Sequence, residues 1–130
     1  MQSVETFIRH PLVSLDRSLT VVEAQFHMQV RRVSSLLITA FQEYVGILTE
    51  SDIEAKVLAK GLDPKNTLIS SVMNRSIFSV DRFTTIEQAQ AFMRQKGIGH
   101  LAVTREGHVV GVISFKDLAE SYQQTISAAP

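Results

Sequence analysis

The sequence predicts a mixed α/β (α+β) fold of two β-α-β-β-α copies, and three observations carry that prediction. The first is an internal repeat. Gly46-Ile47-Leu48-Thr49-Glu50-Ser51-Asp52 returns as Gly111-Val112-Ile113-Ser114-Phe115-Lys116-Asp117, an offset of 65 residues. The same offset carries Asp16-Arg17, Thr20, Ala24-Gln25, Met28, Leu36 and Thr39 onto Asp81-Arg82, Thr85, Ala89-Gln90, Met93, Leu101 and Thr104 without a gap. Repetition at a fixed period marks a copied supersecondary unit. The second observation is a helix-start signal at the same place in each copy, and the third is a pair of short apolar runs after each helix. A unit of roughly 60 residues alone buries only about 60% of its unfolded surface, so the copies are expected to pack together pseudo-symmetrically through their sheets.

Each element follows from local chemistry. Leu12-Val13-Ser14-Leu15 is a short apolar opening strand. Thr20-Val21-Val22-Glu23 is a capping box, a hydroxyl with a carboxylate three residues on. Val21, Ala24 and Met28 then recur at helical spacing, which predicts a helix over 21–31. Leu36–Thr39 and Tyr44–Leu48 are apolar runs with polar borders, joined closely enough for a hairpin. Glu50–Lys60 reads as a second helix, stopped by Gly61 and then Pro64. In the second copy Thr85-Ile86-Glu87-Gln88 repeats the box, and Ile86, Ala89 and Met93 repeat the stripe. Leu101–Val103 and Val109–Ile113 are the paired strands about Glu106-Gly107, and Phe115–Thr125 closes the copy as a helix. The division expected is a first repeat at 1–61, a connector at 62–71, a second repeat at 72–124 and a frayed tail at 125–130.

Bulk composition narrows the function classes. The chain has 130 residues, 45% hydrophobic and 20% charged, ordinary values for a globular protein. Thirteen basic residues balance thirteen acidic ones, so no electrostatic footprint for nucleic acid exists. The absence of cysteine removes disulfide and thiolate chemistry and fits a reducing compartment. Residues 1–15 lack the apolar core of a signal peptide, and no apolar run reaches the length of a membrane span. The expected location is the cytoplasm, with no membrane or nucleic-acid partner.

The segment that carries chemistry is the repeated junction. A strand delivers the chain to Thr49 and to Ser114, and a helix begins at each. Free backbone N–H groups and the positive end of the helix dipole favour an anion there. The hydroxyl can donate to a phosphate, and an ionised carboxylate one turn on, Asp52 or Asp117, accepts from the two hydroxyls of a ribose. Gly46 and Gly111 allow close approach to the backbone. A plainer account stands beside this one. Thr49-x-x-Asp52 and Ser114-x-x-Asp117 are themselves capping boxes, each worth about 1 kcal/mol without any ligand.

The chain resembles a tandem pair of CBS domains, the cystathionine β-synthase regulatory modules, also called a Bateman module. The motif Gly-h-h-Thr/Ser-x-x-Asp (h apolar) is met in full at 46–52 and 111–117, with support from Ser71-Val72-Met73-Asn74-Arg75 and Gly97-Ile98-Gly99-His100-Leu101-Ala102-Val103. The likeness covers about residues 7 to 122. It implies an adenosine-binding regulatory module, not an enzyme, with no required cofactor. AMP, ADP or ATP are the ligands it implies first, with NAD and S-adenosylmethionine as alternatives. By the same resemblance Asp52 and Asp117 take ribose hydroxyls, and Thr49 and Ser114 contact phosphate or ribose. Each site is completed by the other repeat. Thr20, Val33 and Ser34 then serve the Ser114/Asp117 site, while Thr85, Ile98 and Gly99 serve the Thr49/Asp52 site, with Ile47 and Val112 in the adenine pockets. Lys116 and His100 are implied phosphate contacts, with Ser51 and Ser35 as their counterparts. That difference would favour the more highly charged phosphates at the Ser114/Asp117 site. The resemblance further implies a flat homodimer joined through helices and a regulated effector protein. The rival class is a structural or oligomerisation module whose sites stay empty. Many members have proline where this chain has Leu37 and Ala102.

Other residues have ordinary readings. His10, His27, His100 and His108 lack metal-ligand spacing, so no metal is expected. Met28 and Met93 belong in the core. Arg31-Arg32 reads as a solvated helix end, with a phosphate contact across a dimer as the alternative; Phe41 and Tyr44, flanking the first hairpin, are expected in ordinary packing, with an exposed contact patch as the alternative.

Overall fold

The computed structural model describes residues 2–8 and 12–120. Two compact units result, one of residues 13–77, the other joining the segment ahead of residue 13 to residues from 78 onward. Each is a three-stranded sheet with helices. In the first, β1 (Ser14–Asp16), β2 (Ser35–Ala40) and β3 (Glu43–Thr49) lie in the order β1-β2-β3. In the second, β4 (Ser79–Asp81), β5 (His100–Arg105) and β6 (His108–Ser114) lie in the order β4-β5-β6. The outer pair is parallel in each sheet and the hairpin pair antiparallel. Parallel neighbours require a crossover, supplied by α1 (Val21–Arg31) and α3 (Ile86–Lys96).

The helix boundaries follow from their caps. Thr20 and Thr85 each accept from the N–H three residues on, while Glu23 and Gln88 reach back to the cap N–H. Both helices end on a left-handed residue, Arg32 at φ 56° and Gly97 at φ 67°; glycine takes that conformation without a Cβ penalty. Val21, Ala24 and Met28 bury against Leu36, Ile38 and Leu48, and Ile86, Ala89 and Met93 against Leu101, Val103 and Ile113. Both methionines are core residues, as expected.

Two local expectations are corrected. The helix after β3 is α-helical only over α2 (Glu50–Ile53) and widens into a π turn over Glu54–Leu58. It stops before residue 60 because the Gly61 and Leu62 N–H groups donate back to Leu58 and Val57. Phe41 is 87% exposed rather than packed, and Tyr44 is exposed too. Phe41 and Gln42 form a two-residue turn with positive φ at both positions, the geometry that suits a tight hairpin, and a side chain there has no sheet face to cover it. The Arg17 guanidinium lies 5.6 Å from the Phe41 ring centroid. Residues 115–120 form helix α4; the rest of the expected closing helix, the tail and His10 lie outside the described residues.

The sequence repeat and the compact unit do not share boundaries. Leu68 bridges Thr20, and Ser3 bridges Thr85, the same pairing moved by one period. Ile69 and Val72 are buried in the core of the unit 13–77, and Val4 in the other core. Asp63 caps the intervening turn by accepting from the Lys65 N–H at 3.0 Å. Glu5 reaches Arg105 at 3.0 Å and Arg82 at 3.4 Å, partly exposed pairs of small energetic weight. Among the described residues no helix is long and apolar enough to cross a membrane.

Two tests follow. Ile69→Ala should destabilise the chain by about 2–5 kcal/mol in chemical denaturation, whereas Leu68→Ala, on an exposed side chain, should stay within about 0.5 kcal/mol. The Ser18 hydroxyl and N–H both donate to Asp16 Oδ1, at 2.6 and 2.9 Å, and hold its carboxyl below the ordinary 3.8. Stability from this site is present above the unfolded value and fades as pH falls through the lower folded one. Ser18→Ala should therefore move the Asp16 carboxyl resonance titration upward.

Candidate functional site

Each repeated motif sits where an antiparallel strand turns into a helix. In the first unit Ser35 is the register partner of Thr49, and the Glu50 N–H donates to Ser34 O at 3.0 Å. In the second, His100 partners Ser114, and the Phe115 N–H donates to Gly99 O at 2.8 Å. Strand pairing thus gathers Ser34, Ser35, Thr49, Ser51 and Asp52 in one unit. It likewise gathers Gly99, His100, Ser114, Lys116 and Asp117 in the other.

The caps are made in full in the first unit. The Asp52 N–H donates to Thr49 Oγ1 and the Thr49 N–H to Asp52 Oδ2, both at 3.1 Å. In the second, the Asp117 N–H donates to Ser114 Oγ at 3.0 Å. Of the four N–H groups from Thr49 to Asp52, three are therefore spent on the protein itself, which limits what backbone remains for an anion. Ser114 is buried, Asp117 half-buried, and Lys116 and Ser51 exposed. The Asp52 side chain is 19% exposed. Both its oxygens are engaged, yet a carboxylate accepts about four hydrogen bonds, so room for hydroxyl donors remains.

The other candidates have structural duties. Thr20 and Thr85 cap α1 and α3. Val33 and Ile98 pack on the two cores. Ile47 is buried and Val112 half-buried, paired with Leu37 and Ala102. At those two positions the N–H donates to Val13 O and Phe78 O, at 3.2 and 3.0 Å; proline would forfeit that bond. Gly99 is exposed, with open space where a Cβ would stand. Among the described residues no buried side-chain nitrogen or oxygen lacks a partner, and no three acidic or histidine side chains converge as a metal site.

Two features were missed in the sequence. The first is Lys56, whose ammonium lies 3.3 Å from Asp52 Oδ1 and donates to Val72 O at 3.1 Å. The signal was available, an acid four residues before a base on a helix. It adds a cation to the comparison drawn from Ser51 and Lys116, one already paired with Asp52. The second is what the motif glycines face. A Cβ on Gly46 would stand 2.8 Å from Met73 Sδ and 2.9 Å from Asn74 O. Ile47 and Asn74 exchange both backbone hydrogen bonds there, each 2.9 Å. A Cβ on Gly111 would strike the Ile8 side chain. Ile8 is one period before Met73, so the same close approach is built twice.

The CBS domain model matches residues 4–58 and again 69–123, and the chain belongs to the CBS domain family as a tandem pair. It is 35% identical over 103 residues to the CBS domain-containing protein CBSCBSPB2 of Arabidopsis thaliana, covering 78% of this chain and 19% of that protein. It is 27% identical over 128 residues to YhcV of Bacillus subtilis, covering 98% of this chain and 91% of that protein. The chain thus spans about a fifth of the length of the Arabidopsis relative. Among solved structures it is similar to the CBS domain NE2398, with TM-score 0.84, 27% identity and coverage of 94% and 98% of the two chains. It also matches in fold a hexameric CBS-CP12 protein from bloom-forming cyanobacteria, with TM-score 0.87, 23% identity and coverage of 100% and 76%.

Since Gly46 and Gly111 face protein, their substitution should act without ligand. Gly46→Ala should cost about 1–3 kcal/mol through overpacking, read by denaturant unfolding of the ligand-free chain. Gly99→Ala, into open space, should stay within about 0.5 kcal/mol.

Proposed function

We propose that this chain is a regulatory module that binds an adenine nucleotide, AMP, ADP or ATP, or a related adenosyl ligand such as NAD or S-adenosylmethionine. It releases the ligand unchanged and reports its level to an effector protein. The observation that carries the reading is the duplicated strand-to-helix junction, Gly-h-h-Thr/Ser-x-x-Asp, in a chain of the CBS family. At each junction an accessible carboxylate stands beside a hydroxyl at a helix start, a pairing suited to ribose and the phosphate next to it. Asp52 and Asp117 take the ribose hydroxyls, while Thr49, Ser114, Lys116 and His100 stand toward phosphate, with Lys56 adding positive charge beside Asp52. Since each motif has a cation nearby, charge alone does not rank them for ATP. No residue is assigned a role in bond breaking, and the module acts by favouring one arrangement of itself over another when ligand binds. Homodimerisation through helices belongs to the same reading.

A second reading is favoured by one specific observation. Thr49 and Asp52 complete a reciprocal cap without help, which is all that a purely structural module needs.

Thermal-shift titration with AMP, ADP, ATP, NAD and S-adenosylmethionine separates the two. A ligand at about 100 times its Kd should stabilise the chain by roughly 2.7 kcal/mol, and a flat response to all five favours the structural module. Calorimetric titration of Asp52→Ala and Asp117→Ala should then show a loss of about 1–3 kcal/mol of binding at the altered site. Unchanged affinity in both would refute the ribose assignment.

A further inference from the structure

Lys56 is tied at two points. Its ammonium lies 3.3 Å from Asp52 Oδ1 and donates to the Val72 carbonyl at 3.1 Å. An exposed lysine paired with an acid four residues earlier on a helix is weakly held, because ordering the long stem offsets the attraction. The carbonyl changes that. Val72 is buried in the core of its unit, and the chain around it is bonded on both sides. The Val72 and Met73 N–H groups donate to Ile69 O, and the Asn74 N–H donates to Ile47 O. Lys56 thus hangs from a fixed acceptor, and through it Asp52 is held as well. The helix is irregular at the same place. Lys56 is the middle residue of the π turn Glu54–Leu58, which the Ala59 N–H closes on Glu54 O at 2.8 Å. Such turns are rare and gather at functional sites. One period on, the sequence has Ser121 in place of the lysine.

We infer that Lys56 is a positioning residue, which aims the Asp52 carboxylate and makes the first junction selective for a ribose with both hydroxyls. The inference rests on the ribose assignment proposed above and adds to it the group that sets the carboxylate's orientation. Asp52 Oδ2 accepts from the Thr49 N–H at 3.1 Å, and the ammonium stands against Oδ1. With each oxygen engaged once, the carboxylate plane no longer turns freely about its last bond, a torsion that is otherwise broad. About one lone pair is left on each oxygen, and its direction is fixed. Two acceptors side by side suit two neighbouring hydroxyls, and a group aimed beforehand binds better than one ordered on contact. The ammonium also offsets the charge of the carboxylate, so a phosphate beside the ribose meets less repulsion. Lys56 does all this without touching the nucleotide.

Because 2′,3′-dideoxy-AMP lacks only the hydroxyls in question, comparing it with AMP cancels the effect of charge on the phosphate. Titrations of the full chain followed by amide resonances read the two junctions separately, at Ser51 and at Asp117. In the parent chain AMP should bind the first junction about tenfold or more tightly than the dideoxy form, as loss of hydrogen bonds to a charged group requires. Lys56→Met and Lys56→Ala, which remove the charge with and without the stem, should bring that ratio to within about twofold of unity. Lys56→Arg keeps a charged donor and should retain most of the preference. The ratio at Asp117 should stay at its parent value in all three. Exchange protection of the Ile47 and Asn74 N–H groups, which bond across the end of β3, shows that the variants keep that end in place. A preference in the parent that survives both neutral variants, or that Lys56→Arg loses equally, overturns the inference and leaves the ribose assignment standing. A parent chain that binds the two nucleotides alike, or binds neither, overturns the ribose assignment as well.

Discussion

Everything at the junction depends on a close backbone approach. The chain at Asn74 lies against Ile47 with both hydrogen bonds made, and Gly46 has no Cβ to hold it off. That contact gives β3 a neighbour on the side away from β2 and fixes the strand to its end. Thr49 then starts the helix with its cap already formed, and Asp52 is held by Lys56, which itself donates to the carbonyl of Val72. A short piece of chain therefore sets the strand, the cap and the carboxylate together. In the second unit it is the Ile8 side chain that stands against Gly111.

On the proposed reading the motif serves the fold first and a ligand second. Glycine, hydroxyl and carboxylate are each required by the fold before any ligand is considered. A nucleotide would use lone pairs and exposed edges left over after those bonds are made. This explains how such a motif can keep its form while its ligand changes, or while it binds none. It also separates two kinds of substitution. Changes at the glycines act on the fold, and changes at the carboxylates act on the cap and, on the proposed reading, on ligand as well.

Much of the fold was legible in the sequence, because capping boxes and apolar stripes are local. The bounds of α1, read as 21–31, agree with the structure since Thr20, Glu23 and the Val21-Ala24-Met28 stripe are all in one short window. The hairpins were legible for the same reason. What escaped was non-local. That Val4 belongs to a core some 80 residues later, or that Met73 stands over Gly46, leaves no periodic trace in either segment. Phe41 misled because an aromatic beside a strand normally packs, and only the turn geometry puts it outside. For the candidate site the pairing of Ser35 with Thr49 and of His100 with Ser114 follows from hairpin register. Lys56 leaves no mark in the repeat, because its counterpart one period on is a serine.

The discontinuous make-up of one unit bears on the order in which a ribosome delivers it. Residues 13–77 form a compact unit from one continuous stretch, so the first sheet can close as soon as that stretch has emerged. The segment around Val4 is made before that unit yet must wait, its apolar side chain unsheltered, until α3 and the hairpin after it arrive. Closing a loop of that length costs chain entropy that grows only slowly with size, but the delay is long on the scale of local folding. Residues made ahead of the first unit are thus settled only after it.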